Sequence, residues 1–119
     1  MSKIYKITND INNKVYIGKT NLSIEERFKT HCSDMLKREE EKRPLYSAMK
    51  KYGIEHFFVE EVEDCLPEEA SDREIYWIGY YHSYDNGYNA TRGGDGKNIY
   101  DHSAILKRLK EHPYPIDIA

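Results

Sequence analysis

Two short β-rich runs around a cluster of asparagines constrain this chain more than any other feature of it. Lys3-Ile4-Tyr5-Lys6-Ile7-Thr8 and Lys14-Val15-Tyr16-Ile17-Gly18 both alternate polar and apolar residues, and Asn9-Asp10-Ile11-Asn12-Asn13 lies between them. Period-two alternation interrupted by Asn/Asp turn chemistry is the pattern of a β-hairpin. Register then decides which side chains share a face. A four-residue loop, Asn9 to Asn12, sets Thr8 opposite Asn13 and Tyr5 opposite Tyr16. A five-residue loop sends Tyr16 to the other face. The expectation is a shared face, reached by a four-residue loop or by a bulge.

Helical periodicity takes over after the hairpin. Ser23-Ile24-Glu25-Glu26 has the spacing of a capping box and predicts a helix from Ile24 to about Glu41. Its apolar stripe is Ile24, Phe28, Cys32, Met35 and Leu36, with Arg27 and His31 stacked four apart beside it. Pro44 opens a second helix to Tyr52, with Gly53 as its stop. His56 to Val62 reads as a third strand. Pro67 opens a third helix to about Tyr81, with Ala70, Trp77, Ile78 and Tyr81 turned inward. Glu74 falls at the edge of that apolar face, where a carboxylate needs a partner. Residues 102–111 suggest a basic helix before His112-Pro113-Tyr114-Pro115, and the apolar end at Ile116-Asp117-Ile118-Ala119 reads as a longer chain interrupted, with a further helical module to follow.

Size and composition narrow the class. The 119 residues are one domain's worth, and no apolar run approaches the ~20 residues of a membrane span. Met1-Ser2-Lys3 leads straight into the alternation without a signal-peptide pattern, so a soluble, cytoplasmic protein is expected. Cys32 and Cys65 have neither disulfide-framework nor zinc-ligand spacing. The net charge of −3 hides an asymmetry: residues 1–54 carry 12 basic against 7 acidic side chains, and residues 55–88 carry one against 10. A basic first half permits a phosphate-bearing partner. Gly18-Lys19-Thr20 is not a phosphate loop, because the glycine that motif needs five positions earlier is Asn13.

What remains is a constellation. Lys3-Ile4-Tyr5, Tyr16-Ile17-Gly18, Arg27, His31, Glu74 and Gly87-Tyr88-Asn89, in that order, resemble the catalytic domain of GIY-YIG nucleases, closest in flavour to phage and intron homing endonucleases. The resemblance covers residues 3 to about 96, with Lys3 in place of the first glycine of the first triplet. It implies a small α/β (α+β) fold, a mixed three-stranded sheet with flanking helices in the order ββααβα, plus a C-terminal helical extension. Residues 1–97 form the nuclease catalytic domain on this reading, and 98–119 a linker and helical tail, the start of a C-terminal DNA-binding module.

The activity implied is metal-dependent hydrolysis of a DNA phosphodiester in a bacterial or phage-infected cell, with DNA as partner, no membrane, and a monomer for this fragment. The site residues implied are Tyr5, Tyr16, Arg27, His31, Glu74 and Asn89. Glu74 would hold one Mg²⁺ or Mn²⁺, with waters completing the octahedron. Arg27 would clamp the non-bridging oxygens with a permanently charged planar fork. Tyr5 is assigned as the base or water-orienting group and Tyr16 as its hydrogen-bonded partner, with the reverse assignment left open. A free tyrosine is ionised about one part in a thousand at pH 7, a deficit of about 4 kcal/mol that the site must narrow. His31 relays a proton or binds phosphate, and Asn89 orients the site through its amide. The alternative, prompted by Lys3, is a catalytically weak DNA-binding or assembly module that keeps the fold.

Overall fold

The hairpin forms around a longer turn than the sequence pattern predicts. The computed structural model describes residues 1–37 and 43–93. In it β1 (Ser2–Asn9) pairs antiparallel with β2 (Val15–Thr20) in the register Tyr5↔Gly18, Ile7↔Tyr16, Thr8↔Val15. Residues 9–14, rather than 9–12, separate the last residues paired across the hairpin, Thr8 and Val15. The reason lies far along the chain: the amides of Asn9 and Asn12 both donate to the Tyr88 hydroxyl, at 3.1 and 3.0 Å. Asn9 Oδ1 also accepts from the Ile11 amide at 2.9 Å. The turn is thus wrapped over a phenol supplied by a distant loop. The slip in register is even, so parity survives: Tyr5 and Tyr16 share a face as expected, diagonally rather than directly opposed.

β3 (Phe57–Cys65) pairs with the other edge of β1, giving the strand order β2-β1-β3. The element order ββααβα is as expected, but the sheet is not mixed. β2 and β3 run parallel to each other, as strands joined through helices do, yet β1 lies between them and both ladders are antiparallel. β3 also runs past the expected end at Val62. A bulge at that residue, with Ile4 facing Glu63 and Tyr5 facing Glu61, carries the strand on through Glu63 and Asp64.

Helices cover both faces. α1 (Ile24–Asp34) starts at the expected box: Ser23 Oγ accepts from the Glu26 amide and donates to the Glu26 carboxylate, both at 3.1 Å. It stops at Asp34, capped at Met35, which leaves Leu36 exposed instead of in the stripe; the rest of the predicted helix, from residue 38, lies outside the described residues. α2 (Pro44–Tyr52) ends at Gly53 with φ 97°. α3 (Ala70–Tyr81) follows a 3₁₀ turn at Pro67–Glu69. Tyr5 and Ile7 pack with Ile24, Met35, Leu45, Tyr46 and Met49 of the α1–α2 layer, whereas Ile4 and Ile17 pack with Ala70, Trp77 and Ile78 of α3. α3 is tied to β3 by the Glu63 carboxylate, which accepts from Arg73 Nε and Trp77 Nε1, each at 3.1 Å. The basic helix over 102–111 and the 98–119 tail lie outside the described residues. No described helix is long and apolar enough to cross a membrane.

Candidate active site along the edge of β2

β2 is an edge strand, so side chains from the two faces of the sheet can meet around its rim. The loop after α3 closes that rim. His82 turns into the left-handed region at φ 55°, and Asn89 then clasps Ile17 with both ends of its amide: Oδ1 accepts from the Ile17 amide at 2.8 Å and Nδ2 donates to the Ile17 carbonyl at 2.9 Å. The Tyr88 amide donates to the Val15 carbonyl at 2.9 Å. Gly87 permits this approach, since a Cβ there would lie 2.5 Å from that same carbonyl oxygen. Edge hydrogen-bonding groups that would otherwise be open are satisfied by side chain and loop.

Between this loop, β2, α1, the start of α2 and the middle of α3 lies a cleft lined by Tyr16, His31, Arg43, Tyr46, Glu74 and Asn89, among others, with a volume of about 50 Å³. That is room for a few waters or one hydrated ion. Tyr5 sits under the floor, 1% exposed. Its ring lies across Gly18, directly opposite on β2, where a Cβ would come within 2.3 Å of the phenol oxygen. The glycine of the second triplet is therefore a seat for the tyrosine of the first.

Above Tyr5 the polar groups form a connected network. The Tyr5 hydroxyl bonds His31 Nε2 at 2.7 Å, and His31 Nδ1 bonds the Tyr46 hydroxyl at 2.7 Å. The rings of Tyr5 and Tyr16 are 6.2 Å apart, and Tyr16 meets His31 edge-on at 5.3 Å. Arg27, half-buried on α1, is not in the cleft lining, and its charge acts on the Tyr5 phenol instead. Burial works against its charge, but the neighbouring phenols outweigh burial and hold its pKa above the ordinary arginine value.

Electrostatics sort the titratable groups. Burial, then the field of Tyr16, pushes the Tyr5 phenol far up, against the opposing pull of Arg27. Tyr16 is raised by burial and next by Glu74, with Arg43, Arg27 and the neighbouring Tyr5 pulling the other way. His31 is lowered from 6.5 to about 3 by burial and by the positive fields of Arg27 and Arg43, so at neutral pH it is an uncharged imidazole. Tyr46 is pushed up to about 12 by burial.

Glu74, buried on α3, has the partner that its position demanded: Lys19 Nζ, 3.3 Å from Oε1. Among the described residues no three His, Cys, Asp or Glu side chains are grouped to chelate a metal. One carboxylate facing a few waters does suit Mg²⁺ or Mn²⁺, which keep most of their hydration and take one or two protein oxygens. The structure thus brings Tyr16, His31, Glu74 and Asn89 into one lining, puts Tyr5 beneath it and Arg27 behind Tyr5. Sequence reasoning missed Lys19, Arg43 and Tyr46. Lys19 directly follows Tyr16-Ile17-Gly18, which could have flagged it; Arg43 and Tyr46 reach the cleft only through the docking of α2. Lys3, the departure in the first triplet, points to β3, where its ammonium pairs with Asp64 at 2.7 Å and Glu61 at 3.3 Å.

The sequence profile of the GIY-YIG catalytic domain matches residues 1–89. The chain belongs to the GIY-YIG family. Intron-associated endonuclease 1 of Enterobacteria phage T4 is 32% identical over 116 residues, covering 92% of this chain and 46% of that protein. The catalytic domain of homing endonuclease I-TevI superposes with a TM-score of 0.64 at 32% identity, over 76% of this chain and 99% of that one, and a point variant of that domain gives 0.65. The fold just described is therefore that of a GIY-YIG catalytic domain. The chain spans less than half the length of the curated relatives it matches.

Proposed function

We propose that this GIY-YIG domain is a divalent-metal-dependent DNA endonuclease that hydrolyses phosphodiester bonds in the cleft beside β2. The observation that carries the reading is the convergence, in one small lining, of a phenol from β2, an arginine from the start of α2 and a buried carboxylate from α3. The relatives named as intron endonucleases support the substrate class. Glu74 is the residue that would hold the cation, and Mg²⁺ or Mn²⁺ there supplies charge neutralisation to the scissile phosphate and to the departing 3′ oxygen.

The chain's own residues divide the remaining work. Tyr16, half-buried in the lining, rather than the sealed Tyr5, meets the attacking water. Its pKa is raised, so the ionisation deficit of about 4 kcal/mol for a free phenol widens rather than narrows. Tyr16 therefore acts as a neutral phenol that orients the water through an oxygen lone pair. Arg43 offers a guanidinium to a phosphate entering the cleft, and Arg27 holds the phenol pair from behind. Asn89 keeps β2 and the loop at fixed separation. The ion pairs of Lys3 keep that side chain on the β3 side, which favours this reading over a catalytically silent module. A supercoiled-plasmid assay with Mg²⁺ tests it: the parent nicks or linearises, EDTA stops the reaction, and Glu74→Ala and Arg27→Ala abolish it while remaining folded. Cleavage by both variants at the parent rate would refute the assignment.

A further inference from the structure

The hydrogen bonds that join Tyr46, His31 and Tyr5 have a direction, and the groups around them determine it. Arg27 carries only donors and its charge acts on the Tyr5 phenol, so the Tyr5 proton does not point toward it. A phenol has one proton to give and room to accept two bonds. Tyr5 therefore places its single proton either on His31 Nε2, 2.7 Å away, or toward Tyr16, whose ring is 6.2 Å from its own. His31 is a neutral imidazole, so one ring nitrogen donates and the other accepts, and its second partner decides which.

That partner is Tyr46. Its hydroxyl lies 2.7 Å from Nδ1, and the guanidinium of Arg43 stands over its ring, 5.1 Å from the centroid. A cation over a phenol ring draws electron density from the oxygen and makes the O–H a better donor than acceptor. We propose that Tyr46 is a positioning residue of the active site: it donates to His31 Nδ1, which fixes the Nε2–H tautomer, directs the chain Tyr46→His31→Tyr5 and leaves the Tyr5 proton turned toward Tyr16, the phenol in the cleft. In this direction Tyr5 accepts from His31 and keeps its proton for the Tyr16 side, and Tyr16 keeps a lone pair for water and its own proton for a phosphate oxygen. Tyr46 touches no substrate in this arrangement and acts through His31 and Tyr5. The proposal rests on the nuclease reading for its consequence to the rate, but not for the direction of the chain.

Two measurements on the full chain test it. The imidazole ¹⁵N shifts of His31 at neutral pH report the tautomer directly and need neither substrate nor a variant. The proposal requires an acceptor-type Nδ1 and a protonated Nε2 in the parent; protonated Nδ1 overturns it. Tyr46→Phe removes the donor while keeping the ring, so the His31 shifts move toward the Nδ1–H form. With Mg²⁺ and plasmid, kcat falls about tenfold, the equivalent of one net hydrogen bond, and KM is unchanged. Unaltered shifts and an unaltered kcat in this variant overturn the proposal, and the parent tautomer decides it alone if the variant does not fold. Absence of cleavage by the parent refutes the nuclease reading instead and leaves the tautomer result standing.

Discussion

Gly18→Ala is the substitution through which the architecture of the site can be tested by stability alone. The added methyl would stand 2.3 Å from the Tyr5 oxygen and 2.4 Å from Cζ, well inside contact distance. Tyr5 cannot swing away cheaply, because it is 1% exposed and held at its tip by His31. Overpacking of a filled core costs about 1–3 kcal/mol, and displacing the phenol forfeits a buried hydrogen bond of about 1 kcal/mol. The sum, about 2–4 kcal/mol, corresponds to a fall in Tm of roughly 10–20 °C for a domain of this size. The matched control is Gly79→Ala, on the exposed side of α3, where nothing lies within 4 Å of the new Cβ. Helix propensity alone then acts, and stability rises by up to about 1 kcal/mol. Thermal unfolding followed by circular dichroism reads both. If Gly18→Ala melts with the parent, Tyr5 does not lie across Gly18, and the floor of the cleft as described here is wrong.

Three further outcomes follow from the same geometry. Asn89→Ala removes both bonds to the Ile17 backbone, so a loss of about 1–3 kcal/mol in chemical denaturation is expected, with faster hydrogen exchange at the Ile17 amide. His31 titrates near 6.5 in an open chain and near 3 when folded; the unfolded state therefore binds the proton first, and stability is full above about pH 6.5 and falls toward pH 3. The slope approaches 1.4 kcal/mol per pH unit in that window and disappears in His31→Gln, as urea midpoints at pH 7 and pH 5 will show. Lys19→Met removes a competing ammonium from Glu74 Oε1, so Mn²⁺ should bind up to about fivefold more tightly by paramagnetic titration; unchanged or weaker binding argues that Glu74 is not the ligand.

Local signals in the sequence carried far. The capping box placed the start of α1 to the residue, Pro44 and Gly53 bracketed α2, and the parity of the hairpin put two phenols on one face. Apart from the early end of α1 at Asp34, the failures were tertiary. The turn after β1 is lengthened by Tyr88, a residue 76 positions beyond Asn12 that no local pattern connects to it. β3 outruns its apolar stretch because Glu63 is satisfied by Arg73 and Trp77, so a charged run hides a strand. The sheet lost its expected mixed character because β1 occupies the middle. Glu74 could be marked as needing a partner, but Lys19 as that partner follows only from how α3 crosses β2. Tyr5 and Tyr16 could be paired, whereas which of them reaches solvent depends on Gly18 and on the lid of His31, Tyr46 and Arg43.

The most direct test is where a cation sits. Crystals grown with Mn²⁺ and a short DNA duplex, measured at the manganese edge, should show one anomalous peak about 2.1 Å from a Glu74 carboxylate oxygen, with Tyr16 facing the same phosphate across the cleft. A peak bound elsewhere, or a duplex lying against another face while Glu74 stays paired to Lys19, would contradict the assignment of this cleft as the place where the backbone is cut.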